Sequence, residues 1–472
     1  MHAMSFILKK IMILSICNYL FDYLIYLLKM DLVSKYNIQA PRYTSYPTVP
    51  YWDNLMTEER WISHIKQAFK LYNKDGISLY IHLPYCESLC TYCACNTRIT
   101  VNHKVEIPYI ESLLKEWKLY LNQFNEKPLI KEIHLGGGTP TFFSPENVSY
   151  LLTSIIGTAD IAEEYDFSFE GHPNNTTSSH LKVLFDLGFK RVSFGIQDFD
   201  EKVQDTINRY QTFEEVKNVI QEARLIGYTS INVDLVYGLP FQTLETIHDT
   251  ITKICSLKPE RIAFYSYAHV PWLKPGQRKY SEIDLPADAY KRSLYETGKK
   301  LFMKANYSDI GMDHFALPND ALFEAFKEGK LHRNFMGYTT NTTKLLIGLG
   351  CSSISDTWDA FAQNIKTVEE YQKVVNEGRF PIFKGHSLTK DDLAIRQHIL
   401  DLMCKHETPI SVYFIKNKNR FIDFINDDLL ELKNDKIIIK ENGKLFLRNI
   451  CLAFDKRYWK NVPKNSTFST TA

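Results

Sequence analysis

From Gly76 onward, short β-rich apolar runs alternate with segments of helical periodicity. Six runs have the composition and length of strands: 77–84, 130–138, 165–171, 190–197, 230–240 and 261–268. Between them, segments such as 107–124, 180–189 and 213–227 repeat apolar residues at helical spacing. The six runs read as apolar on both faces, which is typical of buried parallel strands. This alternation predicts a parallel α/β fold, either a barrel or an open doubly wound sheet, because periodicity does not separate the two.

Polar and small residues stand at the ends of the predicted strands. They are Cys86 and the residues after it, Gly136–Thr139, Glu170, Gln197, Asp234 and Ala268. In barrels and in open parallel sheets alike, functional residues gather at the carboxyl ends of the strands. We therefore expect the functional site at this edge.

The pattern divides the chain into five segments. They are a hydrophobic extension (1–29), an N-terminal arm with an amphipathic helix (30–75), the strand–helix repeats (76–285), a flanking α/β region (286–385) and a C-terminal domain (386–472). The last segment begins with helical periodicity. It ends in a predicted hairpin over 436–450, because Asn442 and Gly443 form a turn pair between β-rich runs.

The hydrophobic extension has three interpretations. Residues 11–28 are almost continuously apolar and reach the lower length limit for a membrane span. Asp22 lies inside this stretch, where an acidic residue costs about 2.5–3.5 kcal/mol on insertion scales. No small-residue cleavage site follows it. The segment is an upstream-start artefact with Met30 as the genuine start, a packed or interfacial helix, or an anchor. We favour the first and expect no membrane association.

Composition and charge narrow the classes of function. The chain has 472 residues, 44% of them hydrophobic and 24% charged, as in an ordinary globular enzyme. Lys and Arg number 56 against 55 Asp and Glu, so no general attraction to nucleic acid is expected. Four of the nine cysteines fall within ten residues. That clustering favours a metal site in a reducing compartment over a secreted disulfide framework.

The four clustered cysteines have the spacing Cys86-x3-Cys90-x2-Cys93-x-Cys95, on a loop after the first predicted strand. Thiolates bind zinc or iron–sulfur clusters. Zinc usually takes two separated pairs of ligands, and no second distant pair exists here. The x3/x2 triplet suits a four-iron cluster with three protein ligands and one open iron. Zinc and incidental cysteines are the alternatives.

Three further features accompany the cysteines. Gly136-Gly137-Gly138-Thr139-Pro140 lacks the spacing of a P-loop or a dinucleotide fingerprint, and it is either a ligand-binding turn or only a tight turn. Glu170 is placed to accept hydrogen bonds from a ribose diol, or it is an ion-paired loop acid. Taken singly, Gln197, Arg209 and Asp234 could each be a structural polar group or a functional one. Their shared position near one edge makes them candidates.

The triplet and the glycine run together resemble the radical S-adenosylmethionine (SAM) superfamily. From about Lys35 to Tyr458 the chain is more specifically similar to the oxygen-independent coproporphyrinogen III oxidases. The matching segments are PRYTSYPT (41–48), YIHLPYCESLCTYCACN (80–96), HLGGGTPTF (134–142), RVSFGIQDF (191–199), INVDLVYGLP (231–240), GMDHFA (311–316), HRNFMGYTT (332–340) and RNICLAFD (448–455). Cys95 and the 41–48 segment separate this family from its heme-chaperone paralogues.

The resemblance implies a fold and a set of site residues. The fold is a partial TIM-like (β/α)6 barrel with an N-terminal arm and a small, mostly helical C-terminal domain. Cys86, Cys90 and Cys93 would hold a [4Fe–4S] cluster, and Cys95 would take a catalytic role that is not yet defined. A first SAM would lie near Tyr80, Gly137, Glu170 and Ile354. A second would lie near Tyr92, Gly138, Thr139, Gln197, Arg209, Asp234 and Ala268.

The resemblance also implies a reaction. Coproporphyrinogen III would be decarboxylated oxidatively at two propionates to give protoporphyrinogen IX, by hydrogen abstraction with 5′-deoxyadenosyl radicals made from two SAM molecules. The electron donor and acceptor are unidentified. The enzyme would act as a cytoplasmic monomer without nucleic acid. The substrate carries four carboxylates, so Arg42 and Arg333 are candidate clamps, or they are ordinary surface charges.

The sequence departs from the family pattern at two places, and two alternative functions remain to be considered. EGHPNN (170–175) replaces the family's acidic EVDP form, and Met336 replaces a Gln, so the substrate contacts around Met336 are open. A radical SAM relative such as a heme chaperone, a methyltransferase or a heme-degrading enzyme is the first alternative. A pure electron-transfer protein is the second, and it would need a fourth cluster ligand and no SAM pocket.

Overall fold

The computed structural model describes residues 32–53, 55–463 and 468. The hypothesis about residues 1–29 therefore lies outside the described residues. The strands are β1 (Ile77–Leu83), β2 (Tyr85–Cys86), β3 (Arg98–Ile99), β4 (Leu129–Gly137), β5 (Asp160–Gly171), β6 (Arg191–Gln197), β7 (Ser230–Tyr237), β8 (Arg261–Ser266), β9 (Ser308–Gly311), β10 (His314–Ala316), β11 (His332–Asn334), β12 (Gly337–Thr339), β13 (Leu346–Leu349), β14 (Ile354–Asp356), β15 (Ala360–Asn364), β16 (Ile382–Ser387), β17 (Glu407–Pro409), β18 (Leu430–Lys433) and β19 (Lys436–Ile439).

The helices connect and cover these strands. They are α1 (Glu58–Tyr72), α2 (Glu106–Leu121), α3 (Pro145–Ile156), α4 (Ser178–Asp186), α5 (Glu201–Ile207), α6 (Phe213–Ile226), α7 (Leu244–Leu257), α8 (Asp288–Lys304), α9 (Ala321–Lys327), α10 (Val368–Asn376), α11 (Lys390–Lys405), α12 (Val412–Lys416), α13 (Ile422–Asn426), α14 (Leu447–Phe454) and α15 (Lys456–Lys460). Across the described ranges, no helix has the length and apolarity that a membrane crossing needs.

One twelve-stranded sheet contains all six predicted strands. Its order is β16-β15-β14-β13-β1-β4-β5-β6-β7-β8-β10-β9, and the stretch from β13 to β8 is parallel throughout. The six predicted strands are β1 and β4–β8, in chain order, with helices between them. The predicted parallel α/β fold is confirmed. Since β16 and β9 are the outer strands of this order, the barrel is partial.

The prediction that these strands are apolar on both faces is wrong. In β1, Leu79, Ile81 and Leu83 are buried in the main hydrophobic core with the helices, and Ser78, Tyr80 and His82 alternate with them. The register carries the alternation across the sheet, because Tyr80 pairs with His134 and Ser168 pairs with Arg191. β1 and the strands paired with it in this register therefore have an apolar outer face toward the helices and a mostly polar inner face toward the barrel interior.

The inner face also holds two ion pairs, and the Arg261–Asp320 pair is buried. Arg261 Nε donates to Asp320 Oδ1 over 2.7 Å, and the Ser230 hydroxyl donates to Asp320 Oδ2 over 2.7 Å. Arg191 makes a second pair with Asp166, at 2.9 Å. Buried charges need such partners, because an unpaired one carries the full desolvation cost. These polar side chains are thus satisfied inside the fold.

The predicted hairpin over 436–450 is also wrong. β19 pairs with β18 and β17, and residues 441–446 form a 3₁₀ turn that leads into α14. Asn434 and Asp435 make the actual hairpin turn with φ of 52° and 56°, which is the conformation of a two-residue turn of type I′. Gly443 serves a different purpose, since a Cβ there would collide with the Leu429 carbonyl.

The N-terminal arm packs on the C-terminal domain. Tyr43 donates a hydrogen bond to Asp455 over 3.0 Å, and Arg448 donates to the carbonyls of Ala40 and Pro41. Val33, Tyr36 and Tyr46 join the buried core that α11 and α14 also build. The arm and this domain therefore share one core, separate from the core outside the barrel strands.

Replacing Asp320 with alanine is expected to destabilise the protein by about 3–5 kcal/mol. The change leaves Arg261 buried without its partner, and the loss of one member of a buried ion pair has this magnitude. Urea denaturation followed by circular dichroism measures it. Glu431→Ala is the matched control, because the Glu431–Lys433 pair is loose, at 3.8 Å, and exposed. Equal midpoints for the two variants would contradict the structural role of the Asp320 pair.

Candidate active site

The cysteine loop begins where β1 ends and lies above the inner face of the barrel. Cys86 Sγ is 3.3 Å from Thr139 Oγ1, and Cys90 Sγ is 3.6 Å from Arg209 Nη1. Cys93 is close to Cys90 in a turn, since its amide donates to the Cys90 carbonyl over 3.1 Å. Residues far away in sequence, Thr139 after β4 and Arg209 between α5 and α6, therefore contact two of the three predicted ligand thiols.

The thiols differ in their tendency to ionise. The pKa of Cys93 is lowered to about 6, first because the Cys95 thiol donates a hydrogen bond to it, with support from the Cys95 amide and the positive charges of Lys274 and Arg209. Burial raises the pKa of Cys86 to about 11. Cys95 is exposed and its pKa is raised, because its proton is held toward Cys93. The surroundings therefore favour the thiolate at Cys93 more than at Cys86.

The donor set fits an iron–sulfur cluster better than a single ion. Within the described part of the chain, no three His, Cys, Asp or Glu side chains converge as the ligands of one metal ion do. Cys86, Cys90 and Cys93 are nevertheless close enough to affect one another's charge. Thiolates that bind different corners of a four-iron cluster are spread more widely than those around one zinc ion. The nearby Arg209 guanidinium offsets their negative charge.

The glycine run allows the cysteine loop to lie directly against β4. Gly138 N donates to Leu83 O over 2.8 Å, and Thr139 N donates to Tyr85 O over 2.9 Å. A Cβ on Gly138 would lie 2.5 Å from the Pro84 carbonyl oxygen, and one on Gly137, where φ is +117°, would lie 2.6 Å from His82 Nδ1. The glycines are therefore required for backbone packing around the cysteines, whatever else they bind.

Glu170 is a charged acceptor beside the glycine run. It accepts from Gly137 N over 3.2 Å and lies 3.5 Å from His134 Nε2. Burial raises its pKa, but the hydrogen bond and charge of His134 outweigh burial, so the net pKa is lowered. Tyr80 stacks on His134 with ring centroids 6.0 Å apart, and its hydroxyl is 3.0 Å from His82 Nδ1. The side chain of Glu170 keeps 44% of its surface exposed, so its carboxylate is open to a ligand.

Arg209, Asp234 and Gln197 form a second polar group, next to Cys90. Arg209 donates to the Gly195 carbonyl and approaches Cys90, while its Nε is buried without a hydrogen-bond partner among the described residues. Asp234 accepts from Ser193 over 3.1 Å and from Asn232 over 2.8 Å, and burial raises its pKa to about 6. Gln197 ends β6 in the left-handed region, at φ 72°.

Tyr92 and Ala268 are joined by a residue that the sequence did not single out. Gln277 donates through Nε2 to the carbonyls of Tyr92 and Ala268, each over 3.2 Å, and its Oε1 accepts from Val270 N over 2.6 Å. Gln277 is fully buried. It therefore links the cysteine loop to the segment after β8. One glutamine in a loop carries no motif, so the sequence had no signal for it.

Ile354 lies at the opposite border of the site. It opens β14, and its backbone crosses close to Gly348, the β13 residue that pairs with Tyr80. Ile354 is thus near the first predicted SAM group. The structure places the predicted cluster and SAM residues around one end of the barrel interior, whereas the candidate clamp Arg42 lies outside it. Which of these residues binds each ligand stays a prediction.

A cavity separate from this site lies among the described residues. It measures about 710 Å³ and is lined by Tyr237 and Ser266, which belong to the outer face of β7 and β8, and by Arg42 and Asp313. Arg42 and Asp313 form an ion pair. Because this cavity is on the side of α8 and the C-terminal domain, it is separate from the cysteine loop.

Comparison with known proteins gives three results. Residues 80–254 match the model of the Radical SAM superfamily. Two proteins named oxygen-independent coproporphyrinogen III oxidase are similar over most of their length. The Synechocystis sp. protein is 36% identical over 93% of this chain and 97% of its own, and that of Pseudomonas aeruginosa is 35% identical over 90% and 95%. The solved structure of the Escherichia coli coproporphyrinogen III oxidase HemN, described as a radical SAM enzyme, has a TM-score of 0.83 at 33% identity, covering 89% of this chain and all of that one.

The Gly138→Ala variant is expected to lose its bound iron. Its Cβ would press on the Pro84 backbone, so the cysteine loop must shift, and overpacking of this kind costs about 1–3 kcal/mol. Iron analysis after anaerobic reconstitution checks this. Gly276→Ala is the control, because its Cβ would meet Leu89 and Thr91 only at ordinary distances of 3.4–3.7 Å. Full iron content in Gly138→Ala would mean that the glycine run does not position the loop.

Proposed function

This chain belongs to the oxygen-independent coproporphyrinogen III oxidase family of radical SAM enzymes, and on that basis we propose that it converts coproporphyrinogen III to protoporphyrinogen IX. In this reaction two propionate side chains become vinyl groups and two CO2 are released. The observation that carries the proposal is the set of three thiols beside the glycine run and the partly exposed Glu170 side chain, within a chain that matches these oxidases almost end to end.

A [4Fe–4S] cluster fits the cysteine loop, and Cys86, Cys90 and Cys93 would hold it. When bound, the cluster and SAM supply a carbon radical that takes a hydrogen atom from the propionate carbon next to the ring. The protein's own contribution is placement and charge. The Thr139 hydroxyl contacts Cys86 Sγ, the Arg209 guanidinium contacts Cys90 Sγ, and Gln277 donates a hydrogen bond to the Tyr92 carbonyl of the loop.

The polar groups around the loop divide into two SAM sites in our proposal. Glu170, positioned by His134 and Gly137, would accept the ribose hydroxyls of the first SAM near Tyr80 and Ile354. Asp234, Arg209, Gln197 and Ala268 would serve the second SAM. The two groups are adjacent, since the charge of Glu170 raises the pKa of Asp234. Two SAM molecules would therefore lie side by side over one substrate.

The balance of the reaction requires two partners outside the chain. Each propionate loses one hydrogen atom to the adenosyl carbon and then CO2, and one electron remains to be transferred. A donor must supply the electron that cleaves each SAM, and an acceptor must take the electron left by each decarboxylation. We propose a monomer that works in the reducing cytoplasm, where free thiols persist. Neither redox partner is identified.

Cys95 distinguishes the oxidase from the alternatives. A heme chaperone with the same triplet does not require a thiol there, and an electron-transfer protein would use it as a fourth ligand. Here the Cys95 amide donates to Cys93 Sγ over 3.4 Å, and Lys274 Nζ donates to the Cys95 carbonyl over 3.0 Å. We propose that Cys95 acts in turnover and does not ligate the cluster.

Substituting the four loop cysteines one at a time distinguishes the three cluster ligands from Cys95. Cys86→Ala, Cys90→Ala and Cys93→Ala are each expected to lose most of the bound iron, because three ligands leave no spare thiolate. Cys95→Ala is expected to keep near-normal iron and sulfide but to lose at least tenfold in turnover. Normal iron in Cys93→Ala, or none in Cys95→Ala, would reverse the ligand assignment. Cys255→Ala, outside the loop, is the matched control.

The proposed activity is tested with the reduced, cluster-loaded protein under anaerobic conditions. Incubation with SAM and coproporphyrinogen III is expected to give protoporphyrinogen IX with two methionines and two 5′-deoxyadenosines per product. Chromatography with absorbance and mass detection quantifies all three compounds. SAM cleavage without any vinyl product would favour a non-oxidase radical SAM relative. The absence of SAM cleavage would contradict the radical SAM chemistry itself.

A further inference from the structure

Arg333 differs from the other buried arginines in having no acceptor. Four arginines are buried in the described part of the chain. Arg261 pairs with Asp320, Arg209 donates to Gly195 and Cys90, and Arg448 donates to Ala40 and Pro41. The Nε and Nη1 of Arg333 are buried without a hydrogen-bond partner in these residues, and no carboxylate lies within ion-pair distance of it there.

The surroundings of Arg333 offer further unsatisfied donors. Its guanidinium stacks over the Tyr338 ring, 4.6 Å from the centroid. His314 packs edge-on against the same ring at 5.3 Å and against Tyr265 at 5.7 Å. His314 Nδ1 is also buried without a partner among the described residues, and Tyr265 carries a phenolic hydroxyl beside it. Three neighbouring side chains can thus donate to one acceptor.

This group faces the same interior as the candidate active site. His314 pairs with Ala263 across β10 and β8, and Ala263 pairs with Asp234 across β8 and β7. Residues paired in this way share one face of a sheet, so His314 lies on the inner face in the same row as Asp234. Tyr265 is next to both groups, because the charges of Asp234 and Arg333 act on its hydroxyl in opposite directions.

We propose that Arg333, with His314 and Tyr265, binds one carboxylate of the tetrapyrrole substrate. The proposal rests on the proposed function and specifies part of its substrate site. A guanidinium donates to carboxylate oxygens from either of two edges. Nε and Nη1 belong to different edges and both lack a partner among the described residues, so Arg333 has a free donor on each edge for a propionate group. Arg42, the other arginine considered as a clamp, is already paired with Asp313 and lines the outer cavity.

Removing an unpaired buried guanidinium changes the stability of the free protein differently from removing a structural arginine. Without its anion, the buried charge disfavours the folded state. A neutral side chain of similar length at this position should therefore not destabilise the free protein. It should weaken binding of a carboxylate ligand only. For a structural arginine such as Arg261 the expectations are opposite, because its removal leaves Asp320 without a partner.

The test compares Arg333→Met with Arg261→Met in the anaerobic, cluster-loaded protein. Arg333→Met should keep or raise the thermal midpoint without porphyrin, and Arg261→Met should lower it. Fluorescence titration with coproporphyrin III, the stable oxidised form of the substrate, should show binding to Arg333→Met weakened roughly 10- to 100-fold. The tetramethyl ester of coproporphyrin III, which has no carboxylates, should bind wild type and Arg333→Met alike.

Several results would overturn the proposal. One is a lowered midpoint together with wild-type affinity for coproporphyrin III, which would make Arg333 structural. Another is equal weakening for the acid and the ester. If Arg333→Met fails to fold, Arg333→Lys decides. It should fold and bind the acid several-fold more weakly with the ester unchanged, and wild-type affinity for the acid would refute the site.

A separate measurement distinguishes failure of this site from failure of the proposed function. Sodium propionate should raise the thermal midpoint of wild type more than that of Arg333→Met, whatever tetrapyrrole the protein uses. If wild type does not bind coproporphyrin III but shows this difference, the carboxylate site stands and the substrate assignment falls. If wild type binds coproporphyrin III but Arg333→Met matches it in both titrations, the site falls and the function stands.

Discussion

The polar inner face of the parallel strands is the constraint on which the rest of the structure depends. A sheet covered by helices on one side buries most of its apolar residues there, and the partial barrel encloses the other side. Most inner positions are therefore small, hydrogen-bonded, charge-paired or open to a ligand. Arg191–Asp166 and Arg261–Asp320 satisfy part of this face with protein groups alone. The part with Glu170 and Asp234 leaves acceptors available.

Close backbone packing then converts this face into a site. The cysteine loop has no long regular element of its own, and its position comes from hydrogen bonds of Gly138 and Thr139 to the chain between Leu83 and Tyr85. Side chains at Gly137 or Gly138 would push the loop away. Gln277 holds the other side of the loop. Contacts from the end of β4 and from the segment after β8 thus position the loop that carries the thiols.

Sequence reasoning predicted the elements well and their orientation poorly. The six strands and the cysteine triplet have local signatures, namely β-branched runs and fixed spacing, so both could be recognised. The difference between the two faces of each strand could not be recognised, because residues such as His82 and Ser168 do not stand out in a hydropathy pattern although they lie on the inner face. The prediction of a hairpin over 436–450 was wrong. Asn442-Gly443 has the composition of a turn, but the segment that follows is a helix whose Ile450 and Phe454 pack in the core. Gln277 acts through contacts between distant segments and has no local signal at all.

In this fold, whether a charged side chain has a protein partner distinguishes structural from functional groups better than residue type does. By sequence, Arg42, Arg261 and Arg333 are equivalent cations near predicted strands or loops. In the structure the first two have carboxylate partners and contribute to stability, while Arg333 has only aromatic neighbours. The same criterion applies to the acids, because Asp320 is saturated by three donors and Glu170 retains an exposed carboxylate. In an interior lined with polar groups throughout, the residues left for ligands are those whose hydrogen-bonding capacity the protein itself does not fill.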